Sequence, residues 1–140
     1  MQDVPIGEAA RHSGVKVPTI RYYETIGLLP APARTESQRR LYSEADLKRL
    51  AFIRHARELG FEVDAIRTLL SLQDNPGQSC AAADAIAKAH LHEVERRIAK
   101  LKALQAELTR MVEHCATGRV ADCQVIETLA NESHSHGRLI

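Results

Sequence analysis

From Ala81 to Glu113 the chain runs 33 residues without a proline or a glycine. The segment is mostly Ala, Leu, Glu, Lys, Arg and Ile, residues that lose little on entering a helix. One straight helix over that span would be roughly 50 Å long, at about 1.5 Å per residue. The whole chain has 140 residues, about one domain by length. A helix this long therefore leaves a small head and little else to cover it. Ala87, Leu91, Val94, Ile98, Leu101, Leu108 and Val112 recur at three- and four-residue spacing, with a polar break at Gln105, and the other faces are charged. A narrow apolar stripe over about four heptads implies a partner helix; the alternative is that it packs on its own domain, which is too small to cover a helix this long.

The three cysteines sit at the ends of this segment, Cys80 before it and Cys115 and Cys123 after it. Thiolates that share an ion lie within about 5 Å of each other, because each Cys–Zn bond is about 2.3 Å. Cys80 is too far along the helix to share an ion with Cys115 and Cys123 of its own chain. It can meet the same pair on a second chain whose helix runs antiparallel, or it has another role. The spacing leaves both open. No apolar run reaches the roughly 20 residues that span a bilayer. The N-terminus, MQDVPIGEAARHSG, lacks the basic start and apolar core of a signal peptide. A cytoplasmic protein is expected, and an odd cysteine count there favours metal or thiol chemistry over a disulfide frame.

Charge is unevenly spread. Residues 1–57 carry ten Lys/Arg against six Asp/Glu, and residues 58–140 carry nine against twelve. Positive charge in the first half is the footprint of a phosphate-binding head. Residues 6–12 read as a helix stopped by Ser13-Gly14. Residues 17–26 read as a second, with Pro18 in its first turn and Gly27 at its stop. The short loop between them has the length of a helix-turn-helix. Residues 30–42, PAPARTESQRRLY, open on two prolines and predict a two-stranded wing. Ser43 caps a further helix, with Asp46 at the capping-box position, and that helix stops at Gly60. Residues 63–72 predict another, followed by a turn at Asn75-Pro76-Gly77. Residues 124–130 predict one short helix.

Thr19-Ile20-Arg21-Tyr22-Tyr23 falls in the second helix of the pair. Arginine holds phosphates or reads guanine bidentately, and tyrosine offers a hydroxyl to phosphate and a ring to pack below it. One of two adjacent tyrosines packs inward, since helix neighbours face different ways. Arg34, Arg39 and Arg40 cluster in the wing. Three arginines in seven residues are a solvated surface by default; beside a helix-turn-helix they read as backbone contacts.

The runs IGEAARHSGVKVPTIRYYETIGLL and ARTESQRRLYSEADLKRLAFIRHARELGF resemble the N-terminal domain of MerR-type regulators. The resemblance extends through the long helix and the cysteine loop, about residues 4–130, and the cysteines look most like those of the zinc-responsive branch, with cadmium- and lead-responsive members close by. It implies a mainly α homodimer: winged helix-turn-helix heads, long helices paired as an antiparallel coiled coil, and a C-terminal metal-binding loop. It implies DNA contacts from Arg21 and Tyr23 on the recognition helix and from Arg34, Arg40 and Tyr42 on the wing. Lys16, Thr19, Tyr22 and Arg39 complete the expected DNA-facing set. One departure stands out: many members carry Asn-Gly at the wing turn, where this chain has Ser37-Gln38-Arg39-Arg40. Without glycine a tight turn with positive φ is costlier, which predicts a different turn and puts the Arg39 contact in question. The expected domains are a head over 1–74, a hinge and dimerisation helix over 75–114, a metal loop and short helix over 115–130, and a flexible tail over 131–140.

Within that resemblance Cys115 and Cys123 bind metal together with the partner chain's Cys80. The copper branch of the family has serine where this chain has Cys80. Two thiolates suit a linear monovalent ion, and a third suits a divalent one, so Zn2+ is expected, with Cd2+, Pb2+ and Co2+ as alternatives. His114 would complete a closed tetrahedral site; alternatively it is an exposed histidine favoured by the helix dipole. His134 and His136 form an accessory metal site or belong to a loose tail. The functional expectation is a regulator that binds promoter DNA as a homodimer. When metal binds, it distorts that DNA for RNA polymerase and activates metal efflux genes. A thiol redox sensor on the same scaffold would need only Cys115 and Cys123. A metal-buffering coiled coil would leave the arginines unexplained. The chain shows no nucleophile–base pair, phosphate loop or paired catalytic carboxylates, so it is not read as an enzyme.

Overall fold

The computed structural model describes residues 3–37, 39–114, 118–120 and 123–131. In chain order these form β1 (Val4–Pro5), α1 (Ile6–Ser13), α2 (Val17–Thr25), β2 (Ala33–Arg34), β3 (Arg40–Tyr42), α3 (Glu44–Glu58), α4 (Val63–Gln73), α5 (Ala81–Glu113) and α6 (Gln124–Ala130). The chain divides into two compact units, residues 1–86 and 87–140, and each is described by itself.

In the first unit, α1 and α2 form the expected helix pair. Gly14 stops α1 in the left-handed conformation, φ 74°, a region that glycine enters without penalty. Its N–H returns to the Ala10 carbonyl at 2.9 Å. Ser13 is buried and locally satisfied: its hydroxyl donates to the Ala9 carbonyl at 2.7 Å and accepts from the Val15 N–H at 3.2 Å. Arg54 of α3 closes the same turn, its Nε donating to the Ser13 carbonyl at 2.7 Å. The expected capping box opens α3: Ser43 Oγ accepts from the Asp46 N–H at 3.1 Å, and the Asp46 carboxylate accepts from the Ser43 N–H at 2.9 Å.

The wing departs from expectation. It is a three-stranded antiparallel sheet in the order β1-β3-β2, with Val4 opposite Tyr42 and Arg34 opposite Arg40. Val4 and Pro5 supply the extra edge strand. Pro5 has no N–H to donate, and an edge tolerates that. The wing turn is held by a side chain. Thr35 Oγ1 accepts from the Arg39 N–H at 3.1 Å, and the Thr35 N–H donates to the Arg39 carbonyl at 2.9 Å. The core of this unit runs from Val4 to Leu70 and includes Ile20, Tyr23, Leu28, Leu29, Tyr42, Leu50, Ile53 and Ile66.

In the second unit the α5 stripe meets solvent. Leu91, Ile98, Leu101, Leu108 and Val112 are 45–72% exposed. Leu104 joins Ile98, Leu101, Leu108 and Val112 along a groove of about 810 Å³ that Gln105 also lines. Among the described residues of α5 only Met111 is buried. No described helix is long and apolar enough to cross a membrane.

Candidate nucleic-acid interface and cysteine positions

Helix α2 sorts its residues by face. Ile20 and Tyr23 point into the core, whereas Arg21 and Tyr22 are exposed, Tyr22 at 53%. The two tyrosine rings lie 6.1 Å apart at 49°, within the range for a tilted aromatic pair. Arg21 reaches the wing side of the head. Together with Arg39, Arg40, Pro5 and Ile6 it bounds a recess of about 390 Å³. Lys16, Thr19 and Tyr23 bound a second recess, of about 370 Å³, together with Arg54, Arg57 and Glu58. Arg34 is exposed on β2 directly opposite Arg40. A surface with arginines from both a helix and a wing is suited to a phosphate backbone, which is bound through charge and bidentate donors.

Tyr42 does not fit the expected DNA-facing set. It is fully buried, and its hydroxyl donates to Glu24 Oε1. The inward side of β3 carries Tyr42 under the recognition helix, where no phosphate can reach its oxygen. Burial first, and then the Glu24 carboxylate, push the Tyr42 phenol well above its ordinary pKa, so it stays protonated. Glu24 is the residue that sequence reasoning missed. It lies four positions after buried Ile20, so it shares the inward side of α2; a carboxylate at such a position was the available signal.

The thiols that fall within the described residues sit where helices begin. Cys80 is exposed, and its carbonyl accepts the Asp84 N–H at 2.9 Å in the first turn of α5. Cys123 is half-buried at the N-cap of α6, and its carbonyl accepts the Glu127 N–H at 3.0 Å. His114 is exposed immediately after α5, its N–H donating to the Arg110 carbonyl at 3.1 Å. Cys115, His134 and His136 lie outside the described residues. Among the described residues no three His, Cys, Asp or Glu side chains of one chain gather as a metal site. Thiol and imidazole are the right donors for a borderline-soft divalent ion. In chain order Cys80 precedes α5 and His114 follows it.

The first unit is thus a winged helix-turn-helix built to face DNA. Residues 4–73 match the MerR HTH family regulatory protein family, and residues 47–111 match the MerR DNA-binding family. The chain belongs to the MerR family, whose members are DNA-binding transcription regulators and not enzymes. It is similar to heavy metal-dependent transcription regulator 2 of Rhizobium meliloti (strain 1021), 41% identical over 91% of this chain and 87% of that protein. It is similar to the HTH-type transcriptional regulator ZntR of Escherichia coli (strain K12), 42% identical over 89% of this chain and 90% of that protein. Among solved structures it resembles the transcription regulator PbrR691 from Ralstonia metallidurans CH34 in complex with lead(II). That likeness has a TM-score of 0.78 and 38% identity, covering 91% of this chain and 99% of that one.

Proposed function

We propose that this chain is a cytoplasmic, metal-responsive transcription regulator. In this reading it binds promoter DNA as a homodimer and activates metal efflux genes by distorting the DNA for RNA polymerase when a divalent ion, Zn2+ first among candidates, is bound. The observation that carries the reading is the placement of the cysteines around the bare α5 stripe. Cys80 starts α5, His114 follows it and Cys123 starts α6. Antiparallel pairing of two α5 stripes would cover the apolar face and bring Cys80 of the partner subunit to Cys115 and Cys123. His114 would supply a fourth donor and close a tetrahedral set. A bound divalent ion supplies a positive centre that neutralises those thiolates and ties segments of both chains.

In this reading the functional segments are a head over 1–74, a hinge and dimerisation helix over 75–114, a metal loop and short helix over 115–130, and a tail over 131–140. Arg21, Tyr22, Arg34, Arg39 and Arg40 face the DNA backbone and bases, and Lys16, Thr19 and Tyr23 line a second phosphate position. Metal favours activation only to the extent that the distorting conformation holds it more tightly, and the readout is DNA shape.

Elemental analysis of the purified dimer beside a Cys80→Ser variant tests this, together with metal-induced transcription in vitro using Zn2+, Cd2+, Pb2+ and Co2+. The variant is expected to lose bound metal and induction together. Unchanged induction in Cys80→Ser would favour the redox sensor that needs only Cys115 and Cys123.

A further inference from the structure

Glu24 lies in the last turn of α2, and its side chain is only 10% exposed. Its two oxygens serve two residues of one strand. Oε1 accepts the Tyr42 hydroxyl, and Oε2 lies 3.1 Å from Arg40 Nε. Residues 40 and 42 are alternate positions of β3 and therefore share a face, which is how one carboxylate reaches both. Arg40 Nε is buried and its N–H is not aimed as a hydrogen bond, so the attraction to Glu24 is Coulombic. Arg40 also borders the recess it shares with Arg21 and Arg39.

A carboxylate beside a recess lined by three arginines repels the phosphate that the arginines would attract. Its presence makes physical sense if it supplies geometry. A free arginine side chain loses rotamer freedom when it grips a phosphate, and one held in advance loses less. Because burial keeps the Tyr42 phenol protonated, the bond that anchors the carboxylate persists across the neutral range.

We infer that Glu24 is a positioning residue of the DNA-binding face: it locks the wing to the recognition helix and presents Arg40 to a backbone phosphate without touching DNA itself. This rests on the proposed reading that Arg40 contacts DNA.

The test uses the full-length dimer and a mixed-sequence DNA duplex, because phosphate contacts are sequence-independent. Binding is titrated by fluorescence anisotropy across a salt series for wild type, Glu24→Gln, Arg40→Gln and the double variant. Arg40→Gln is expected to lower the salt slope by about 0.9 for each phosphate that the protein no longer neutralises. Glu24→Gln should weaken binding roughly three- to tenfold and lower the slope in the same direction, and the double variant should bind no worse than Arg40→Gln alone. Wild-type slope with equal or tighter binding in Glu24→Gln overturns the inference, as do additive losses in the double variant. An unchanged slope in Arg40→Gln overturns the DNA-contact reading and the inference with it. If Glu24→Gln does not fold, Glu24→Asp takes its place: it keeps the charge and is too short to span both partners, and a wild-type slope there overturns the inference equally.

Discussion

Arg49 Nη1 donates to both carboxylate oxygens of Asp74, at 3.1 and 3.2 Å. Its Nε meanwhile donates to the Leu28 carbonyl at 2.9 Å. One guanidinium therefore joins the loop after the recognition helix, the body of α3 and the C-cap of α4, where the connection toward α5 begins.

Arg49→Ala removes all three bonds. The expected stability loss is about 1–2 kcal/mol, set mostly by the stranded Leu28 carbonyl, because the Asp74 side is exposed and such pairs contribute little. The sharper expectation is functional. DNA affinity should hold within about threefold while metal-induced transcription falls, since the loop and the connection are no longer tied. Parallel anisotropy and in vitro transcription measurements separate the two, and equal losses in both would sink the idea.

Tyr42→Phe deletes one buried hydroxyl and removes the donor to Glu24 Oε1, leaving Oε2 beside Arg40. A hydrogen bond to a charged acceptor contributes about 1.5–3 kcal/mol, and urea denaturation at neutral pH should show a loss of that order. The variant also carries a pH signature. The folded state raises the Tyr42 pKa, so the folded protein keeps a proton that the unfolded chain releases above about pH 10. The contribution is complete below about pH 10 and is lost as pH rises toward the folded value. Wild type should therefore lose stability more steeply than Tyr42→Phe above about pH 10; identical alkaline limbs would contradict this.

At Gly14 a methyl group meets two obstacles. The φ of +74° is costly for any L side chain, and an added Cβ would lie 3.2 Å from Arg54 Cδ and Nε. Arg54 cannot easily retreat, because it is held by the Ser13 carbonyl at 2.7 Å and by Glu58 at 2.8 Å. Gly14→Ala should cost about 1–3 kcal/mol, read as a lowered melting temperature. A neutral or stabilising outcome would mean that the turn relaxes out of the left-handed region.

On α5, Leu101→Asp with Leu108→Asp places two carboxylates on the exposed stripe. In the proposed dimer each chain contributes both changes. Burial of one leucine is worth about 1.5–3 kcal/mol, so the dimer dissociation constant should rise at least about a hundredfold. Sedimentation equilibrium measures it, and the folded head gives the control: its melting should persist because its core ends at Leu70. An unshifted dissociation constant would place the dimer contact elsewhere.

Much of this architecture was legible wherever a local rule agrees with the packing. The bounds of α5 follow from the proline- and glycine-free run, the start of α3 from Ser43 and Asp46, and the stop of α1 from Gly14. The strand at Val4–Pro5 was not legible, because two residues cannot display alternation and the partner strand is distant in sequence, with Val4 opposite Tyr42. The facing of the tyrosines was half-legible: adjacency required one to turn inward, yet only tertiary packing decides that Tyr23 and Tyr42 are buried while Tyr22 is exposed. The roles of Glu24, Arg49 and Arg54 depend on partners 16 to 41 residues away, a separation that leaves no local periodicity to read. Leu104 was legible as well: it lies three residues after Leu101 and four before Leu108, so a three-and-four count reaches it without using Gln105.

The uncovered stripe of α5 also bears on inheritance. In a cell with two versions of this gene, the proposed dimer has a chain that has lost its proposed DNA contact Arg21 but kept Leu101 and Leu108 still pairing with normal chains and giving them a head that grips DNA poorly. Such an allele should be dominant. A chain altered at Leu101 and Leu108 would decline to pair and leave the normal product alone, so that allele should be recessive. Co-expressing each variant with the wild type and measuring metal-induced transcription distinguishes them, and a dominant stripe variant would argue against the proposed dimer. The face that a single chain leaves bare would then decide which defects spread to its neighbours.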